Sequence, residues 1–96
     1  MLYRPRLENV RPAGRPGCLV VFGSYNEETD RFGGAVQVPA GEVMVATGEE
    51  LKLDRPLGKM RVLRLYSPSA GLVWAFRDYV IQIRKKKVSE VPVQVK

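Results

Sequence analysis

The stretch Lys59–Ile83, KMRVLRLYSPSAGLVWAFRDYVIQI, decides the fold of this chain. Lys59–Tyr66 alternates with a period of two: Arg61, Leu63 and Leu65 share one side, and Met60, Val62, Arg64 and Tyr66 the other. That is the pattern of a strand. Ser67–Gly71 (SPSAG) has hairpin length, with Pro68 and Gly71 in turn positions. Leu72–Phe76 (LVWAF) returns as a second strand, with Leu72, Trp74 and Phe76 on one face that reads as core. Arg77 and Asp78 interrupt the apolar run, and Tyr79–Ile83 resumes it with Tyr79, Ile81 and Ile83 together.

Working outward, the same short-strand texture continues. Cys18–Phe22 is apolar and bounded by glycines, so it reads as a buried strand. Gly23–Asp30 (GSYNEETD) reads as a polar, acidic loop. Phe32–Val38 is the next strand, with Phe32, Val36 and Val38 on one face and a bulge or sharp bend at Gly33 and Gly34. Pro39–Gly41 is a turn, and Glu42–Thr47 (EVMVAT) another strand. Thr47 and Glu50 have the spacing of a helix capping box, but Gly48 and Pro56 disfavour a helix, so a loop with a single turn is expected. Val91, Val93 and Val95 alternate around Pro92, which confines that strand to an edge. Residues 1–17 carry Pro5, Pro12 and Pro16 and read as an extended arm, with Leu2, Leu7 and Val10 against the body. The expectation is one all-β domain over residues 18–96, a small barrel of five to seven short strands behind an N-terminal arm.

Lys59–Ile83 resembles the end of an SH3-like barrel. KMRVLRLY, SPSAG, LVWAF, RDY and VIQI would fill, in order, a strand, a tight hairpin, a strand, a one-turn 3₁₀ element and a last short strand. Gly71-Leu72-Val73 is similar to the Gly-aromatic-aliphatic start of that family's strand, and Asp78-Tyr79-Val80 to its Asn-Tyr-Val segment. The acidic loop Gly23–Asp30 occupies the place of the family's long loop after the first strand. The Ala-Leu-Tyr-Asp-Tyr segment and the paired tryptophans of proline-peptide binders are missing, and only Tyr79 matches a ligand-gripping aromatic. The resemblance therefore implies a barrel but not proline-rich peptide binding, and the fold alone does not choose among RNA, DNA and protein partners.

The charge is segregated along the chain. Lys59, Arg61, Arg64, Arg77, Arg84, Lys85, Lys86, Lys87 and Lys96 face only Asp78 and Glu90 after Gly58, whereas Cys18–Leu57 is net acidic through Glu27, Glu28, Asp30, Glu42, Glu49, Glu50 and Asp54. The whole chain of 96 residues carries +6. Histidine is absent, which removes Ser/His/Asp and Cys/His catalysis and a Cys/His zinc site from within this chain. The single cysteine, Cys18, reads as a small buried hydrophobe. Glu27, Glu28 and Asp30 lack the spacing of a calcium loop and read as solvated. No reaction, metal or cofactor is implied. With no signal-peptide or membrane-spanning run, a cytoplasmic address and no membrane partner are expected.

Two binding readings follow. In the first, Arg61, Arg64, Arg77 and the run Arg84, Lys85, Lys86 and Lys87 contact the phosphates of nucleic acid or a nucleoprotein, with Tyr66, Trp74 and Tyr79 available to stack on bases. Arg61 and Arg64 differ by an odd number, so a regular strand sends them to opposite faces. In the second, the chain is a protein–protein adaptor or an assembly subunit. Its edge strands and its acidic and basic segments then provide the contacts.

Overall fold

The computed structural model describes residues 1–10 and 17–83. It is all-β: β1 Leu2–Pro5, β2 Cys18–Asn26, β3 Arg31–Pro39, β4 Met44–Arg55, β5 Gly58–Ser67, β6 Gly71–Phe76 and β7 Val80–Ile83, with 3₁₀ turns at Leu7–Asn9 and Arg77–Tyr79. All seven strands join one antiparallel sheet in the order β3-β2-β6-β5-β4-β1-β7. The ladder is open, with β3 and β7 as its outer strands among the described residues. No helix of the described residues is long and apolar enough to cross a membrane.

The hairpin read from SPSAG is present: β5 and β6 pair from Val62↔Phe76 to Ser67↔Gly71, and Gly71 closes the turn at a φ of 82°. Arg77–Tyr79 is the one-turn element that follows and Val80–Ile83 the last strand, the places expected for RDY and VIQI. A carboxylate anchors the turn. Glu42 accepts from the hydroxyls of Ser67 and Ser69 and from the Ser69 N–H, which satisfies the buried Ser67.

One side of the sheet holds the core: Tyr3, Leu19, Val21, Val38, Met44, Leu63, Leu65, Val73, Ala75 and Val80. Leu65↔Val73 and Leu63↔Ala75 are cross-strand pairs, large against small. Each fully buried aliphatic side chain contributes about 1.5–3 kcal/mol of transfer free energy. The expected parity of β5 holds, since Leu63 and Leu65 are buried and Arg61 shares their side. That of β6 is reversed. Val73 and Ala75 face the core, while Leu72 is 49% exposed and Trp74 and Phe76 are half-buried on the other side.

Four other segments differ from expectation. Leu2–Pro5, read as part of an arm, is a strand between β4 and β7, with Tyr3 and Pro5 buried. Proline is tolerated there at the strand's end, and the Arg6 N–H bonds the Tyr79 carbonyl at 2.7 Å. Leu7, expected against the body, is exposed. Gly23–Asp30 is not all loop: β2 continues to Asn26, and only the tip turns, with Asn26 Oδ1 accepting from the N–H groups of Glu28 and Thr29. Thr47–Glu50 is a bulge inside β4. Ala46 pairs with Leu65 and Glu50 with Leu63, so residues 47–49 stand opposite Arg64 alone. Thr47 Oγ1 donates to the Arg64 carbonyl at 3.0 Å and accepts from the Glu49 N–H, a local bond of the kind expected of a cap, here closing a bulge. Cys18 is half-buried rather than fully enclosed. The strand expected at Val91–Val95 lies outside the described residues, as do Arg84, Lys85, Lys86 and Lys87.

Candidate functional site

The antiparallel registers lay out the face opposite the core as a grid. One row crosses five strands: Ile83 on β7, Leu2 on β1, Val45 on β4, Tyr66 on β5 and Leu72 on β6. At 4.7–4.9 Å between strands it is about 19 Å long. Its β4–β6 members are large apolar or aromatic groups left open, with Val45 46% and Tyr66 and Leu72 each 49% exposed. Val43, beside Val45 on the chain, is 39% exposed. Isolated exposed apolar groups are ordinary; several in register are a surface of their own.

The next row is Arg64 on β5, Trp74 on β6 and Phe22 on β2. The Arg64 guanidinium lies 4.9 Å from the Trp74 ring centroid and reaches toward the Gly23 carbonyl at 3.5 Å. Beyond it an aromatic chain continues through Phe22, Phe32, Tyr25, Phe76 and Tyr79, with successive centroids 4.6–5.6 Å apart along Tyr25–Phe32–Phe76–Tyr79 and Phe22 5.4 Å from Phe32. Val62, opposite Phe76, is buried beneath this side. Phe32 opposes Tyr25, an odd step from Phe22, so regular alternation would send it to the other face. Gly34, at a φ of 66° against Gly23, turns the hairpin tip and brings the ring across. Of the bulge or sharp bend expected at Gly33 and Gly34, the bend is the one present, since β2 and β3 keep one register throughout.

Of the sequence-derived cations, the described three do not share a surface. Arg64 belongs to the open face. Arg61 and Arg77 line a cavity of about 490 Å³ on the core side of the sheet, together with Tyr3, Leu63, Glu49 and Glu50. Arg61 Nε donates to Glu50, and this bond holds the Glu50 carboxyl below its ordinary range and raises the Arg61 guanidinium. Arg77 lies 5.8 Å from the Tyr3 centroid and donates to the Val80 carbonyl at 3.2 Å. Glu49 and Glu50 share this cavity with the two guanidinia and would repel a phosphate from them. The three aromatic candidates fare differently. Tyr66, Trp74 and Tyr79 all open onto the face that carries Arg64.

Elsewhere on the surface, Arg55 bonds Asp30, and Tyr25 donates to the same carboxylate at 2.6 Å, which clasps the β2–β3 tip to the β4–β5 end. The Arg55 bond first, then Tyr25, pulls the Asp30 carboxyl down; Tyr25 is raised chiefly by its bond to Asp30. Among the described residues no group of three or more Asp, Glu, Cys or His side chains is placed to hold a metal.

Sequence reasoning missed Arg4, Val45, Leu72 and Phe22 as members of the open face. Arg4 is exposed on β1 opposite Ile81, one step beyond the apolar row and across it from Arg64. The alternation Leu2–Tyr3–Arg4–Pro5 was the available signal, but four residues containing a proline read more readily as an arm. No family model, no curated protein and no solved structure matches this chain.

Proposed function

We propose that this chain is a non-enzymatic protein-binding module, an adaptor or assembly subunit that docks its partner on the open face of β1, β4, β5 and β6. The observation that carries this reading is the row Leu2–Val45–Tyr66–Leu72, where three large apolar or aromatic side chains, adjacent in register, are each about half exposed. Protein interfaces concentrate such anchors, with Trp, Tyr and Arg at their energetic centre, and Trp74 and Arg64 form the neighbouring row. The SH3-like reading of the fold belongs to the same proposal. It is supported by β1 pairing with both β4 and β7, and by the β5–β6 hairpin leading through a 3₁₀ turn into β7.

Nucleic acid is the second reading. It is favoured by Arg64 stacked on Trp74 beside Tyr66, and by the net charge of +6. It is weakened by Arg61 and Arg77 lying on the other side of the sheet with Glu49 and Glu50. A photocrosslinker at Leu72, with the exposed Lys52 as control, separates the two in the native cell. The docking reading expects a protease-sensitive adduct from position 72 only. A nuclease-sensitive adduct, or equal adducts from both positions, would overturn it.

A further inference from the structure

The apolar row is bounded on both sides by an arginine. Arg64 lies one step along β5 from Tyr66, and Arg4 lies one step along β1 from Leu2, in the opposite direction across the row. Neither forms an ion pair among the described residues, in contrast to Arg6, Arg55 and Arg61, which bond Glu8, Asp30 and Glu50. Three carboxylates are engaged elsewhere: Glu42 with the β5–β6 turn, Asp30 with the hairpin tip, and Glu50 in the cavity on the core side. The open face therefore presents an aliphatic and aromatic strip between two guanidinia.

We propose, resting on the docking reading above, that the partner presents an apolar segment flanked by carboxylates. Three alternatives fit less well. Nucleic acid would set its phosphates against Val43, Val45, Leu2 and Leu72, aliphatic groups that offer no stacking plane. A second copy docking through this same face would set its own Arg4 and Arg64 rims against those of the first, so like charges would meet at the rim. A second copy docking through its acidic tip would offer Asn26–Asp30, which contains no apolar side chain to fill the strip. An acidic, apolar segment satisfies the strip and both rims at once. The rim arginines then act mainly on the association rate and on the choice of partner, and the strip supplies most of the affinity.

Short synthetic peptides test this, with Trp74, the only tryptophan, as the fluorescent reporter. Three are needed: a Leu- and Phe-centred peptide flanked by Glu, the same centre flanked by Lys, and an Ala centre flanked by Glu. The Glu-flanked apolar peptide should bind roughly fivefold to tenfold tighter than the Lys-flanked one, as two rim ion pairs allow. The Ala-centred peptide should fail. Arg4→Glu combined with Arg64→Glu should reverse the flank preference, a gain for the Lys-flanked peptide that a merely unfolded variant cannot produce. Equal affinity for both flanks would overturn the acidic partner and leave the docking reading standing. Failure of the Glu-flanked peptide at millimolar concentration would also overturn it, while the position-72 crosslink decides the docking reading separately.

Discussion

The Arg64 guanidinium sits 4.9 Å from the centroid of Trp74, its cross-strand partner, on the side of the sheet away from the core. A cation over a partly solvated indole stabilises by about 0.5–1 kcal/mol. Arg64→Ala should therefore lower unfolding free energy by about that amount in urea titration and alter the emission of Trp74 in the folded state. A loss of several kcal/mol would mean that the pair is part of the main core, contrary to the geometry.

The reversed parity of β6 makes a paired prediction. Leu65 is fully buried and Leu72 half exposed. Leu65→Ala should cost about 2–5 kcal/mol, because it removes buried surface and leaves a cavity. Leu72→Ala should stay within about 0.5 kcal/mol, as surface substitutions do. Comparable losses at both positions would restore Leu72, Trp74 and Phe76 to the core.

The two strands of this hairpin differ in how plainly they can be read. β5 announces its faces because Arg64, between the apolar Leu63 and Leu65, marks the side that the interior excludes. LVWAF has no such marker, since both of its faces are apolar. Size then pointed to Trp74 and Phe76 as core, but Leu63 and Leu65 on β5 already fill the interior and need the small partners Ala75 and Val73. That information lies in the pairing, not in the strand. The Thr47–Glu50 bulge was hidden for a related reason: its local hydrogen bond is the same one a helix cap would make, and only the register of β4 against β5 tells them apart. The division of the candidate cations was partly legible, because the odd spacing of Arg61 and Arg64 requires opposite faces. The pairing of Arg61 with Glu50 was not, since eleven residues and a hairpin turn separate them.

Two carboxylates are held by arginines in a way that contributes to stability on the acid side. Asp30, bonded by Arg55 and Tyr25, and Glu50, bonded by Arg61, both titrate below their ordinary ranges. A carboxyl whose pKa is lower in the folded state stabilises fully above its unfolded-state pKa, about 3.9 for Asp and 4.3 for Glu. That contribution fades as pH falls through the folded value. Asp30→Asn with Glu50→Gln should lower stability at neutral pH and flatten its decline below about pH 4.5. A double variant that keeps the parent's acid slope would show that other groups carry it.

Glu42 holds the β5–β6 turn from outside the hairpin. It accepts from Ser69 Oγ at 3.0 Å, from the Ser69 N–H at 3.2 Å, and from the hydroxyl of Ser67, which is wholly buried. Glu42→Ala leaves the Ser67 O–H only the longer contact to Ser69 Oγ at 3.3 Å and should cost about 1–3 kcal/mol, the penalty of a buried polar group losing its main acceptor. Amide exchange should speed up at Ser69 and leave the middle of β5 unchanged. Global acceleration with no local excess would place the effect elsewhere.

The aromatic end of the open face depends on a backbone that only glycine adopts without strain. Gly34 has a φ of 66°, and a Cβ there would stand 3.4 Å from the Gly23 nitrogen of the paired strand. This turn is what carries Phe32 to within 5.4 Å of Phe22 and Phe76. Gly34→Ala should therefore cost about 1–2 kcal/mol through left-handed strain. It should also weaken the nuclear Overhauser contacts between the Phe22 and Phe32 rings, because relief of the strain untwists the tip. Gly41→Ala is the control, since a Cβ there meets nothing within 4 Å and its φ is not in the left-handed region. It should be close to neutral. Equal effects at positions 34 and 41 would detach the aromatic cluster from the bend. A destabilised Gly34→Ala variant with intact ring contacts would show that packing among the rings, and not the glycine, holds Phe32 on this face.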